Sequence, residues 1–263
     1  MINQNAIIGW RQNVPWRLDS QIEQDLILHA MIQVIYSDPF LSEKLAFRGG
    51  TCLNKLIWKV PLRYSEDLDF VQINPEKIGP TGDRLRKVLK EIIPHDPEWE
   101  VKKGSFKLNY FFEAESNPHQ KQKIKIEINT REHRCFEGYR KERLTLRSLW
   151  RNGEADVVTF SKEELLATKL RALYQRRKGR DLFDLWKSQE FKPNYKNVAH
   201  LFIKYIETNG KKISNKMMVK NLGEKLSDKN FLNDIAPLIS PKTVYDPVRA
   251  FEFLHSNILI FIP

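Results

Sequence analysis

The stretch KLAFRGGTCLNKLIW, residues 44 to 58, limits the fold more than any other part of this 263-residue chain. KLAF reads as a short strand that runs straight into Gly49 and Gly50, and TCLNKLIW has helical apolar spacing. Strand, glycine turn and helix therefore follow one another without a linker. Glycines at a helix start let backbone N–H groups approach an anion, with the helix dipole adding favourable potential. A second strand, DLDFVQI, comes next. Its Asp67 and Asp69 alternate with Leu68 and Phe70. Carboxylates at i and i+2 of a strand share a face roughly 7 Å apart, within reach of one or two magnesium ions, while the alternate residues face a core. An edge strand with its acids in water has the same pattern, so both readings stay open at this level.

Other elements surround this unit. Ser20 and Glu23 have the spacing of a capping box, and Ile22, Leu26, Ile27, Ala30, Met31, Val34 and Ile35 continue at helical spacing up to Pro39. DRLRKVLKEII is expected to be a helix closed by Pro94. FKLNYFFEA and QKIKIEIN are expected to be two more strands. In the latter, Ile124, Ile126 and Ile128 take one face while Lys123, Lys125 and Glu127 take the other. Ser161 and Glu164 form a second capping box, opening KEELLATKLRALYQRR with Leu165, Leu166, Leu170 and Leu173 as its apolar stripe. Lys169 and Arg176, seven apart, share a face of that helix. A short helix, RDLFDLWKS, follows Gly179 with Asp181 at its first turn, where the helix dipole favours a carboxylate. Beyond residue 190 the pattern is helices separated by TNGKK, LSDKN and proline turns. The expected class is α+β: a mixed sheet flanked by helices over 1–160, then a mainly helical lobe over 161–263.

Forty-four Lys and Arg against 33 Asp and Glu give a net charge of +11, which makes a polyanion such as nucleic acid the expected partner. RKERLTLR and YQRRKGR concentrate part of that charge, and Tyr64, Tyr139 and Tyr174 are aromatics available for stacking on bases. Cys52 and Cys135, the two cysteines, lack CxxC spacing, which excludes a disulfide framework and a zinc knuckle and suits a reducing compartment. MINQNAIIGWRQ has no basic segment followed by a long apolar run, and ILIFIP is too short to span a bilayer. A soluble, cytoplasmic protein is the expectation.

Taken in order, FRGGTCLNKLIW, RYSEDLDF, IKIEINTRE and EELLATKLRALYQRRKGRDLFDLW, with IEQDLILH near the start, resemble the AbiEii/AbiGii toxin family of nucleotidyltransferases, which includes MenT-type toxins. The resemblance runs over roughly residues 20 to 190. It implies a polymerase-beta-like nucleotidyltransferase core and a helical C-terminal lobe. It also implies a toxin of a toxin–antitoxin or phage-defence system, with a cognate antitoxin as partner. The implied activity is transfer of nucleotides from an NTP to the 3′ end of tRNA, with magnesium as cofactor, blocking aminoacylation.

Residue by residue, the resemblance places nucleotide binding at Gly49, Gly50, Ser65 and Lys169, and metal binding at Asp67 and Asp69; Arg48, Lys55 and Arg63 flank the site, either as phosphate contacts or as solvated side chains. Glu127 is the candidate third carboxylate, as metal ligand or base, or else a partner of Lys123 or Lys125. Lys169 is expected to reach a triphosphate, and Asp181 to orient Lys169 or simply to favour its helix start. The stretch between Gly50 and Asp67 is longer than in many polymerase-beta-like enzymes, which leaves the placement of Lys55 and Arg63 open. Two further readings are carried: transfer onto a protein hydroxyl, free nucleotide or small molecule, and an inactive nucleic-acid-binding module.

Overall fold

A computed structural model describes residues 2–58, 60–115, 117–208, 210–240 and 242–263. The chain forms two compact units, Met1–Phe160 and Ser161–Pro263.

The first unit is built on a seven-stranded mixed sheet. Its strands are β1 (Leu45–Arg48), β2 (Asp67–Gln72), β3 (Glu98–Lys102), β4 (Ser105–Ala114), β5 (Asn117–Asn129), β6 (Arg140–Arg147) and β7 (Asn152–Thr159), in the order β3-β4-β5-β2-β1-β7-β6. β1 runs antiparallel to β2 and parallel to β7, and β2 runs parallel to β5. The remaining neighbours form antiparallel pairs. The expected alternation in β5 is present: Ile124, Ile126 and Ile128 are fully buried, and so are Leu68 of β2 and Leu108 of β4. Each such side chain contributes on the order of 1.5–3 kcal/mol.

Helices α1 (Gln4–Trp10), α2 (Asp19–Ser37), α3 (Pro39–Lys44), α4 (Gly49–Cys52) and α5 (Gly79–Leu89) complete the unit, and the backbone after α4 continues as a π turn over Leu53–Ile57. α2 is buried on every side from Ile22 to Tyr36, polar residues included. The capping box expected at its start is absent. The helix begins at Asp19 with Leu18 at the cap and no side-chain cap bond. Glu23 instead accepts a hydrogen bond from the Glu115 amide at 2.9 Å, and the Ser20 carbonyl accepts one from Gln122 Nε2 at 3.0 Å. Tertiary partners have displaced the local cap.

Asp25 is the buried acid of α2 that meets a cation. It forms a 2.6 Å ion pair with Lys55, both side chains being about 5% exposed or less, and it accepts from the indole N–H groups of Trp10 (2.9 Å) and Trp16 (3.3 Å). One helical turn on, His29 packs edge-on against Trp10.

Three strands were missed in the sequence. β3 is five residues long and exposed at every one, and its alternation rests on Trp99 and Val101 alone. β7 buries only Ala155 and the residues from Val157 to Thr159, too short a stretch to show an alternation. β6 is the tract RKERLTLR, whose Leu144 and Leu146 are buried. Its arginines pair across to β7, Arg143 with Glu154 and with Asp156 (2.9 Å) and Arg147 with Glu154 (2.8 Å). This basic tract is thus a half-buried strand whose Arg143 and Arg147 meet acids within the sheet. The helix expected over DRLRKVLKEII starts earlier, at Gly79, and ends at Leu89.

The second unit is helical. It comprises α6 (Lys162–Gln175), α7 (Gly179–Lys187), α8 (Tyr195–Glu207), α9 (Asn215–Leu226), α10 (Lys229–Asn233) and α11 (Pro247–Asn257). α6 packs on α7 and α8, and α11 packs on α7. The second capping box forms as expected, Ser161 accepting from the Glu164 amide at 3.1 Å. At the other end of α6, the buried Lys225 ammonium caps the helix carbonyls of Leu173 and Tyr174.

Asp25→Ala is expected to lower stability by about 3–5 kcal/mol in urea denaturation, because it leaves the Lys55 ammonium buried and unpaired. Adding Lys55→Met should recover much of that loss. An equal loss in the single and double variants would mean that the buried charge is not the cause. His29 supplies a pH dependence. Burial and the nearby Lys55 push its pKa from 6.5 down to about 3. Below pH 6.5 the unfolded chain therefore binds a proton that the folded chain refuses, and stability falls as pH drops from 6.5 toward 3. His29→Leu should flatten this part of the urea-midpoint profile.

Candidate active site

β1 ends at Arg48 and the chain turns at once into α4. Gly49 makes the turn with φ at +87°, a region that favours glycine. A Cβ on Gly49 would collide with the Asp69 carboxylate, and one on Gly50 with the Arg63 guanidinium, 3.2 Å from Ser65 Oγ. The two glycines are therefore the only residue type that lets this backbone lie against the acid and the cation together. Thr51 fastens the turn to β2. Its hydroxyl donates to the Asp67 carbonyl at 2.5 Å and lies 2.8 Å from Ser65 Oγ.

The long segment after the turn is drawn back into the core. Asn54 Nδ2 donates to the Arg63 carbonyl at 2.7 Å, and Arg63 Nη1 donates to the Tyr64 carbonyl at 3.1 Å. Lys55, whose placement the sequence left open, is buried against Asp25. Tyr64 takes the core reading over that of a stacking aromatic: its hydroxyl donates to Gln24 Oε1 at 2.6 Å and its ring meets Trp16 edge-on. Arg63 stays beside the glycines, and Arg48 is the register partner of Asp69 on β1.

Asp67 and Asp69 are half-buried on one face of β2, with Leu68 and Phe70 in the core behind them. The parallel register with β5 sets Asp69 opposite Glu127 and Asp67 opposite Lys125. Three carboxylates and a lysine thus share one patch. Lys125 Nζ bridges Asp67 (3.0 Å) and Glu127 (3.3 Å), and Lys107 on β4 reaches Glu127 at 3.3 Å. Burial works to lower the Lys125 pKa, but Asp67, Asp69 and Glu127 together raise it.

The field of these acids thus holds a cation strongly, and their hard oxygens suit magnesium. Asp69 fits as a ligand, and Asp67 fits beside it once its 3.0 Å pair with Lys125 is released. Glu127 does not stand ready as a third. Lys107 and Lys125 hold it, and among the described residues no group of three or more His, Cys, Asp or Glu side chains is arranged to bind a metal. Sequence reasoning missed Thr51 and Lys107 and took Lys125 only for a neighbour of Glu127. The signal for both lysines was the strand alternation itself.

In the helical unit, Lys169 and Asp181 come together. Lys169 Nζ lies 3.2 Å from Asp181 and 2.9 Å from Asp184, with both aspartates fully buried and the lysine side chain 8% exposed. Arg176 binds the same Asp181 at 2.7 Å. Although burial opposes it, Lys169 and Arg176 hold the Asp181 carboxyl down at about 2. Expected to extend freely toward a triphosphate, Lys169 is instead enclosed by two carboxylates, and the reading in which Asp181 orients Lys169 is the one the geometry matches. The YQRRKGR run is paired within its own unit as well: Arg177 meets Asp228 at 3.2 Å, and Lys178 and Arg180 meet Asp234 at 3.4 and 3.6 Å.

No curated protein matches the sequence. Among solved structures, MenT4, a nucleotidyltransferase toxin from Mycobacterium tuberculosis H37Rv, is similar with a TM-score of 0.64 and 14% identity, over 97% of this chain and 89% of that one. A protein from H. pylori described as a nucleotidyltransferase is similar with a TM-score of 0.56 and 16% identity, over 93% and 96%. At such identities the likeness is one of fold, a nucleotidyltransferase fold with a mixed sheet and flanking helices. The sequence profile of the nucleotidyl transferase AbiEii toxin family matches residues 32–255, and with most of its length matched the chain belongs to that family of type IV toxin–antitoxin toxins.

Proposed function

We propose that the protein transfers a nucleotide from an NTP to the 3′ end of tRNA, releasing pyrophosphate and blocking aminoacylation. A cognate antitoxin would restrain it. Among the described residues no helix is long and apolar enough to cross a membrane. One observation carries the reading: the Gly49 turn lies directly against Asp69, and Asp69 is in register with Glu127.

In this reading the backbone N–H groups at Gly49 and Gly50 approach the phosphates, and Ser65 Oγ, held by Thr51, adds a hydroxyl beside them. Arg63, behind Gly50, contributes positive charge on the leaving side. Asp67 and Asp69 would hold magnesium, which when bound offsets the charge developing on the phosphoryl oxygens. Glu127 takes the proton of the attacking hydroxyl. Lys107 and Lys125 pair with that carboxylate and hold it on the face it shares with Asp69. The RNA hydroxyl oxygen forms a bond to the α-phosphorus as the bond to the β-phosphate oxygen breaks, and pyrophosphate leaves. Lys169, Asp181 and Asp184 form a charged cluster in the helical unit, where Asp181 positions Lys169.

The test is incubation of the full chain with magnesium, each labelled NTP in turn, and total tRNA. Label on the tRNA 3′ end is expected. Label only on protein or on a small acceptor would overturn the tRNA assignment. Asp69→Ala should reduce transfer at least about a hundredfold while melting like the wild type, because it removes charge stabilisation at a half-exposed position. Lys169→Ala should also lose transfer, but with a clear drop in melting temperature, since it strands two buried carboxylates. A Lys169→Ala variant as stable as wild type would refute the buried-pair account.

A further inference from the structure

Lys121, Lys123 and Lys125 occupy alternate positions of β5, on the same face as Glu127 and in line with it. Same-face residues of a strand step by roughly 7 Å, a spacing comparable to that between successive phosphates of an extended nucleic-acid strand. Lys125 is committed to Asp67 and Glu127. Lys121 and Lys123 are exposed, and among the described residues neither makes an ion pair; Lys123 rests over the Phe111 ring, 5.5 Å from its centre. Phe111 is itself 42% exposed. The three lysines line a cleft of about 460 Å³ together with Asp67, Glu66 and, from α2, Gln21 and Gln24. Glu113, across the β4–β5 ladder from Lys121, is the other acid facing this row.

The position of the row matters as much as its charge. β2 lies between β1 and β5, so the glycine turn and the lysine row flank Asp67 and Asp69 on opposite sides. Phosphoryl transfer needs attacking and leaving oxygens roughly in line across the phosphorus. With the leaving pyrophosphate on the glycine side, the attacking hydroxyl has to enter from the β5 side, where Glu127 stands. We propose that Lys121 and Lys123 bind the backbone phosphates just upstream of the acceptor's terminal hydroxyl, guiding a single-stranded RNA end along β5 to Asp67. A single file of cations beside one exposed aromatic fits one strand with an unstacked base rather than the two strands of a helix. This inference deepens the proposed function and rests on RNA being the acceptor.

The experiment measures binding without NTP or metal, so its outcome is independent of whether transfer occurs. A fluorescent single-stranded RNA of about 12 nucleotides, within the span of a typical single-strand site, is titrated with the full chain in EDTA at several salt concentrations. Each phosphate neutralised on a single strand contributes about 0.7 to the slope of log K against log salt. The double variant Lys121→Gln with Lys123→Gln should therefore flatten the slope by about 1.4 relative to wild type. Lys211→Gln with Lys212→Gln, which removes the same charge from exposed positions in the helical unit, should leave the slope as it is. In transfer assays the KM for tRNA should rise in the β5 variant while the KM for NTP stays within twofold. An unchanged slope in the β5 variant, an equal flattening in the control pair, or equally tight binding of a blunt duplex of the same sequence would overturn the proposal. Failure of the proposed function itself would show differently, as absence of label transfer by the wild type.

Discussion

The parallel register of β2 on β5 is the constraint on which the candidate site depends. It sets Asp69 opposite Glu127 and Asp67 opposite Lys125, and a slip of one residue would exchange every side chain between the two faces. Leu68 and Phe70 would then face solvent while the carboxylates entered the core, where unpaired acids cost far more than they return. The register is fixed from the apolar side. Leu68, Ile124, Ile126 and Ile128 are fully buried and Phe70 is 1% exposed, so a one-residue slip would uncover the apolar set of whichever strand moved. The polar face then inherits its geometry from the apolar one, and three acids are assembled in one patch by burial of their neighbours rather than by mutual attraction.

A second dependence runs through α2. Being buried all round, it had to place its polar side chains on partners, and each partner fixes a different element. Gln24 donates to the Lys123 carbonyl and so ties β5, while its Oε1 receives Tyr64 and so ties the segment leading into β2. Asp25 receives Lys55 and so anchors the π turn beyond the glycines. The extra residue of a π turn shifts the helical phase of the side chains in it, which is how Lys55 comes to point inward at Asp25. One buried helix therefore sets both flanks of the acidic patch.

Parts of this were legible in the sequence because they are local. The strand into Gly49 and Gly50, the alternation of Asp67 with Leu68 and Asp69 with Phe70, the isoleucines of β5 and the Ser161 cap each arise within a few residues. Other parts were not, because they depend on residues far away in the chain. The cap at Ser20 was overridden by Gln122 and Glu115. β3 offers only Trp99 and Val101 as an alternation, and β6 hides behind charges whose partners lie on β7. Thr51 gives no signal at all until β2 is beside it. Lys169 had the right neighbour in Asp181, yet nothing in its own helix announced that Asp184 would enclose it from the other side.

The fate of the basic residues obeys the same logic. With a net charge of +11, the eye goes to RKERLTLR and YQRRKGR, where basic residues crowd together. Density of that kind is costly unless neutralised, and the fold supplies Glu154, Asp156, Asp181, Asp228 and Asp234 to do so. Charge spaced at every second residue of a strand is diluted enough to stand in water without a partner. Among the described residues Lys121 and Lys123 make no ion pair, Lys123 resting over the Phe111 ring, and their charge is left for an outside anion. For a chain of this composition the place to look for a polyanion site is the alternation of a strand that leads to the acids, since the conspicuous runs have already met acids of their own.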